Sequence, residues 1–435
     1  MTRKLRTRNF YVGVIIGAAV VVLAIAQFAL QTVARAQENG SANQAGVYEV
    51  DRMWPKPLPN NWVLGSTVGL AIDARDHVFI VHRGQSSLDQ KFASQMSFTP
   101  PAPRGGGGRA AGAPAGGAFA APSAGNTVTG YGPSDMTKPI SEFCCAAAPP
   151  VLEFDPAGNL VNHWGAPGAG YEWPPSMHGI TIDGKDNVWL AGNGGHTVLK
   201  FSKQGKFLLQ IGKNGASKGN TDTANLNNPA EVEVDMAANE VYVADGYGNR
   251  RVIVYDADKG TFKRMWGAYG KPPVDAKPGE IQPYDPTAPL SQHWRTVHCA
   301  SLANDGLVYV CDRVNDRIQV FRKDGTFVKE AQIAKRTLGD GVTFDIAFSR
   351  DKQQRLMYVA DGANHRVWQL LRDPMLVLNH IGNGGRYPGQ FYATHNVSLD
   401  SKGNLYTVET YTGARVQKFT YKGLAAVSKP EGNHN

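Results

Sequence analysis

Three histidines of this chain stand at matching points of matching segments. His178 opens HGITID, His298 opens HCASLA and His395 opens HNVSLD. Each segment is short, alternates apolar with polar residues and runs into a turn, so each histidine begins a strand. Three imidazoles brought to one point make a metal site with three nitrogen ligands and open positions. Zinc is the commonest occupant of such a site. Iron, copper and manganese accept the same ligand type. Three other residues, Arg83, Tyr247 and Arg313, break the pattern around them. Two guanidiniums near a metal suit a substrate bearing a carboxylate, through bidentate charge-assisted bonds. A tyrosine among cations is suited to act as a base.

The elements that must position these residues are repeats. VGLAID (68–73) is followed by HVFIVHRG, and HGITID (178–183) by NVWLAGNGGHTVLKF. PAEVEVD (229–235) is followed by EVYVADGYGNRRVIVY, and HCASLA (298–303) by LVYVCDRVNDRIQVF. FDIAFS (344–349) is followed by LMYVADGANHRVWQL, and HNVSLD (395–400) by NLYTVETYTGARVQKF. Repeats of roughly 40–50 residues with four strand-like segments each indicate a β-propeller, here an all-β ring of six NHL-type blades. The innermost strand of each blade then opens with Val68, His178, Ala230, His298, Phe344 or His395. Histidine occupies every second blade, and alternate blades of a six-membered ring lie about 120° apart. The three imidazoles are therefore expected to converge on the channel axis.

The loops between second and third strands share a face with those histidines. Asp245, Asp312 and Asp361, with Arg251, Arg317, Arg366 and Arg415, recur there, so they are read as turn and inter-blade bonds. Tyr411 is read as packing. Blade one is interrupted at residues 85–150, directly after Arg83. Its Gly/Ala/Pro-rich core, about 97–130, cannot bury enough apolar surface to order itself. A solvated linker and a lid both remain open for it. Blade six lacks a fourth strand, and Val47–Trp54 (VYEVDRMW) is the candidate to complete it. The propeller is placed at 47–423, with a frayed polar tail over 424–435.

Residues 1–36 combine a basic start, an apolar run at Phe10–Leu30 and Ala34-Arg35-Ala36, as a signal peptide cut after Ala36 would. An uncleaved anchor is the alternative, and only then would the protein contact a membrane. Either reading puts the propeller outside the cytoplasm, periplasmic or secreted. Removing the +5 of that segment from the formal +8 leaves +3, which makes no case for nucleic acid. A monomer is expected. Of four cysteines, Cys299 and Cys311 flank the turn at Asn304-Asp305-Gly306 and should face each other as a disulfide. For Cys144-Cys145 a vicinal disulfide, a metal ligand and two buried thiols all stay open.

HRG (82–84), HGI (178–180), DGYGNRR (245–251), HCASL (298–302), DRVNDRIQVF (312–321) and THNVSLD (394–400) carry a more specific likeness. Over Gly69–Lys418 the chain resembles the lyase domain of peptidylglycine α-amidating enzymes, six-bladed propellers that split peptidyl-α-hydroxyglycine into a peptide amide and glyoxylate. The resemblance implies His178, His298 and His395 as zinc ligands and Tyr247 as base on the substrate hydroxyl. It implies Arg83 and Arg313 as carboxylate-binding or charge-stabilising groups, and a small-molecule or peptide substrate with a carboxylate. It also implies a structural calcium held at position 396 and by the backbone oxygens of Leu70 and Ile180. Here that position is Asn396 where the family has aspartate. Ala393 stands for the family's methionine, and Gly248 for its cysteine. A metal-dependent lactonase or esterase and a non-catalytic NHL scaffold are the rival readings.

Overall fold

The computed structural model describes residues 43–88, 145–277 and 279–435. Six four-stranded antiparallel sheets make up the ring. Blade one is Thr67–Ile72, Val78–His82, Val151–Phe154 and Leu160–Trp164. Blade two is Ile180–Ile182, Asn187–Gly192, Thr197–Ser202 and Phe207–Ile211. Blade three is Glu231–Asp235, Glu240–Asp245, Arg251–Asp256 and Phe262–Trp266. Blade four is Val297–Leu302, Leu307–Asp312, Arg317–Arg322 and Phe327–Gln332. Blade five is Thr343–Phe348, Leu356–Asp361, Arg366–Leu371 and Leu376–Ile381. Blade six is Thr394–Leu399, Leu405–Glu409 and Arg415–Ala426, completed by Gln44–Val50.

The second strands read as unbroken apolar runs because both faces are buried. Along Leu307–Asp312, Val308 and Val310 pack toward blade three while Tyr309 and Cys311 pack toward blade five. This period-two division recurs around the ring, giving an apolar cluster between each pair of neighbouring blades. Each fully buried Val, Leu or Phe adds about 1.5–3 kcal/mol.

The strand that closes the ring is the expected one, shifted toward the N-terminus. Gln44 pairs with Ala426 and Val50 with Phe419. Trp54, placed in that strand by its sequence, instead wedges between blades one and six, its ring edge-on to Tyr406 at 4.9 Å. The tail does not fray. Asn433 donates to Gln332 O and Met375 O at 3.2 and 2.9 Å and accepts from the Val377 amide, so it ties blade four to blade five.

Cys299 and Cys311 pair directly across the first hairpin of blade four and form a disulfide, with Gly306 at φ 80° in the turn. Cys145 is disulfide-bonded too, so it is neither a thiol nor a thiolate ligand. Cys144, the signal segment 1–36 and the 97–130 stretch lie outside the described residues. No helix among the described residues is long and apolar enough to cross a membrane. The Cys299–Cys311 bond is consistent with an oxidising compartment.

The recurring Asp/Arg residues bond as turn supports. Arg251 and Arg317 are fully buried against Asp245 and Asp312, and Arg415 pairs with Glu409. Arg366 differs, lying over the Trp368 ring at 4.8 Å.

Candidate metal centre

The innermost strands of blades four, five and six each slip register by one residue at their start. The slip lies between Val297 and Cys299, Thr343 and Asp345, and Thr394 and Asn396. His298, Phe344 and His395 are the residues skipped there, as Val68 is in blade one. A bulge of this kind re-aims a side chain, here toward the channel. His178 lies just ahead of Ile180–Ile182, its amide bonded to Ala191 O at 2.9 Å.

The three imidazoles meet. Their ring centroids are 4.7, 4.8 and 4.9 Å apart, and one nitrogen from each lies within 4.8 Å of the others. Each ring's remaining nitrogen is tied down. Nδ1 of His178 bonds Ala230 O at 2.8 Å, Nδ1 of His298 bonds Phe344 O, and Nδ1 of His395 bonds Asn396 Oδ1 at 2.6 Å. A carbonyl can only accept, so Nδ1 of His178 and of His298 carries the proton. Nε2 of each is left with a lone pair. Burial, with the nearby cations, holds all three histidines neutral, His395 down to about 3. This donor set fits a divalent metal.

Tyr247 stands at the same point. Its hydroxyl lies 2.9 Å from His178 Nε2 and 3.0 Å from His298 Nε2, and accepts from Arg313 Nη1 at 3.0 Å. Gly246 permits this approach, since a Cβ there would fall 2.0 Å from Val297 O. At Gly248, a Cβ would meet the Asn227 amide at 2.1 Å, which accounts for the missing side chain.

Arg313 is only 7% exposed. It lies over the Phe344 ring at 4.7 Å and the Tyr247 ring at 5.3 Å. Its Nη2 is 3.5 Å from Asp340 Oδ1, and its Nε has no hydrogen-bond partner. Phe344 is therefore more than a gap in the histidine alternation, because its ring carries this cation. Arg83 donates through Nε to Met177 O at 3.2 Å. Burial works against its charge, and Tyr247 and Tyr411 are its favourable neighbours.

Two site residues escaped the sequence reading. Tyr411 is no mere packing residue: its hydroxyl donates to Asp340 Oδ2 at 2.7 Å. Asp340 lies in an inter-blade connection, which repeat alignment does not cover. Its one signal is the flanking pair Gly339 and Gly341.

The implied calcium site lacks a carboxylate at position 396 itself. Asn396 Oδ1 bonds His395 Nδ1, and its Nδ2 donates to Asp345 Oδ2 at 3.1 Å. The amide is thus committed to orienting a histidine. Carboxylates do stand beside Asn396, as Asp345 and, with ligand atoms within 4.8 Å of it, Glu231. Burial raises Asp345 to about 6 and neighbouring Glu233 to about 8. The repeats gave no hint of these acids.

Fold and site together define a six-bladed propeller with a three-histidine cluster able to hold a metal, flanked by a tyrosine and two arginines. Comparison with known proteins narrows this class. The chain is 27% identical over 302 residues to peptidyl-glycine alpha-amidating monooxygenase B of Xenopus laevis, spanning 68% of this chain and 27% of that protein. It is 25% identical over 413 residues to peptidyl-alpha-hydroxyglycine alpha-amidating lyase 1 of Drosophila melanogaster, spanning 89% of this chain and 62% of the relative. It is 28% identical over 211 residues to NHL repeat-containing protein 3 of Mus musculus, spanning 44% and 53%. The chain covers less than two thirds of each of these relatives. No family model matches it. The chain is thus a six-bladed propeller similar, at 25%, 28% and 32% identity, to proteins named as amidating lyases and as NHL repeat-containing.

Proposed function

We propose that the chain is an exported, zinc-dependent lyase that cleaves an N-substituted α-hydroxyglycine to an amide and glyoxylate. The observation that carries this reading is the Tyr247 hydroxyl, which touches two imidazole Nε2 atoms and the Arg313 guanidinium at once. His178, His298 and His395 would hold the zinc, which supplies a Lewis acid for the substrate's hydroxyl and carboxylate oxygens.

Arg83 binds the substrate carboxylate, having no carboxylate partner of its own among the described residues. Tyr247 takes the proton from the α-hydroxyl. The O–H electron pair becomes the C=O of glyoxylate as the C–N bond breaks. The bond's electrons leave on nitrogen, which takes that proton from Tyr247 to become the amide and returns the base to its starting state. Arg313, donating to the Tyr247 oxygen, stabilises the phenolate charge that proton uptake then removes.

The test is metal analysis of the purified protein, followed by a glyoxylate assay on an N-acyl-α-hydroxyglycine. One zinc per chain and glyoxylate release in step with amide are expected. Hydrolysis of lactones or esters without glyoxylate release would overturn the lyase reading in favour of a hydrolase. Absence of bound metal with no turnover would leave a scaffold.

A further inference from the structure

We propose that Asp340, held by Tyr411, is a positioning residue that keeps Arg313 on the Tyr247 hydroxyl and off the substrate carboxylate. This rests on the lyase reading above and divides the labour of its two arginines.

Arg313 and Arg83 differ in their company. Arg313 faces a carboxylate, with Nη2 3.5 Å from Asp340 Oδ1, while its Nη1 bonds Tyr247. Arg83 has a backbone carbonyl and two tyrosines around it. A guanidinium offset by a fixed carboxylate is a poorer partner for a second carboxylate than one that is not. The substrate anion therefore goes to Arg83, and Arg313 stays with Tyr247.

Asp340 is built into place from both sides. Gly339 and Gly341 take φ values of 80° and 76°, and a Cβ on Gly341 would fall 2.0 Å from Arg313 O. The loop thus lies against the backbone of the arginine it serves. On its other side Asp340 accepts the Tyr411 hydroxyl at 2.7 Å. Tyr411 is itself fixed at φ 51°, with its amide donating to Ser66 Oγ at 3.0 Å. The Ser66 carbonyl accepts the Arg83 amide at 3.0 Å. Hydrogen bonds therefore run from Arg83 through Ser66 and Tyr411 to Asp340, whose carboxylate makes the ion pair with Arg313.

Asp340→Asn removes the charge and keeps the shape. Arg313 is then free to take the substrate carboxylate in the ground state, and Tyr247 loses its donor. Tighter ground-state binding with a slower chemical step gives a lower KM together with a lower kcat. Simple damage to the loop does not produce that pair of changes.

The experiment measures kcat and KM for glyoxylate release, calorimetric binding of glycolate, and metal content. It compares the native chain with Asp340→Asn and Tyr411→Phe. For Asp340→Asn, a charge-assisted bond lost at Tyr247 should lower kcat about tenfold. KM and the glycolate Kd should both fall several-fold with metal content unchanged. Tyr411→Phe should move all three values in the same directions by less, and the double variant should be no worse than Asp340→Asn alone. Unchanged or raised KM and glycolate Kd in either folded variant would overturn the inference while leaving the lyase reading intact. A native chain that neither releases glyoxylate nor binds glycolate would take both down.

Discussion

Tyr247 is where the single-residue argument is strongest, because its oxygen is shared by three partners and by no redundant group of equal reach. Tyr247→Phe removes the proton acceptor and leaves His178, His298 and His395 in place. Turnover should fall about 10²–10⁴-fold, the range of a lost general base, with metal content unchanged. A variant that keeps half its native rate would show the base to be another group. The three histidines, Tyr247 and the arginines could be read from sequence for one reason. In a repeat protein, neighbouring blades predict what a position should hold, and a departure stands out. Asp340 is in an inter-blade connection outside the aligned repeat, and only its flanking glycines marked it. Tyr411 was seen and misread, because its partner comes from two blades away. Glu231 and Asp345 replace ordinary inward positions, and only the closed ring shows that they face one another.

Hairpins are the elements that deliver these side chains, and blade four's first hairpin delivers both His298 and Arg313. Its strands are cross-linked by Cys299–Cys311, separated by 12 residues. Replacing both cysteines by serine should cost about 3 kcal/mol by the loop-closure argument, read as a lower midpoint in denaturant melts. The turn that follows, Arg313–Asn315 and Asp316, carries an opposite effect. Asp316 is fully buried at φ 52°, with Oδ2 unpartnered. Burial and the charge of Asp361 raise its carboxyl to about 9. In the unfolded chain the same group ionises near 4. The folded form keeps its proton where the unfolded form has lost it, so the protein loses stability as pH rises from about 4 toward 9. Asp316→Asn removes that dependence and suits the left-handed backbone. It should stabilise the protein by about 1 kcal/mol at pH 8, with the gain shrinking at pH 5, in melts at both values. A gain that grows toward pH 5 would contradict the assignment. Sequence pattern gave the hairpins and the disulfide, since alternation and turn residues fix register locally. The one-residue slips that aim His298 and His395 leave no such trace, because a bulge is settled by what both strands pack against.

At the scale of the whole molecule, the ring is held by six inter-blade cores and closed by one strand pair. The closing strand was legible because blade six ran out of sequence before it ran out of strands. The tail was not, since its tie to blades four and five draws on one side chain, Asn433, bonded to backbone groups that the repeat pattern does not single out. Closure also explains how a site built from residues 83 to 411 stays assembled. No two of the three histidines belong to neighbouring blades, so their mutual distances are set by the ring as a body. Weakening the Gln44–Val50 pairing is accordingly expected to reach the metal, although that strand touches none of its ligands.

Pairing of Gln44–Val50 with Arg415–Ala426 has a further use. Asn43 O accepts the Val427 amide, so these two points of the chain are already neighbours, with 428–435 leading on to the Asn433 bonds. A tight turn joining Val427 to Asn43 would make that seam an ordinary covalent hairpin. The chain could then be opened within 89–144, giving a circular permutant with new ends beside Arg83. Such a rearranged molecule, lacking the Asn433 bonds, should melt lower than the parent yet match its metal stoichiometry, measured by melting and metal analysis. Its order of synthesis would be changed and its ring would not.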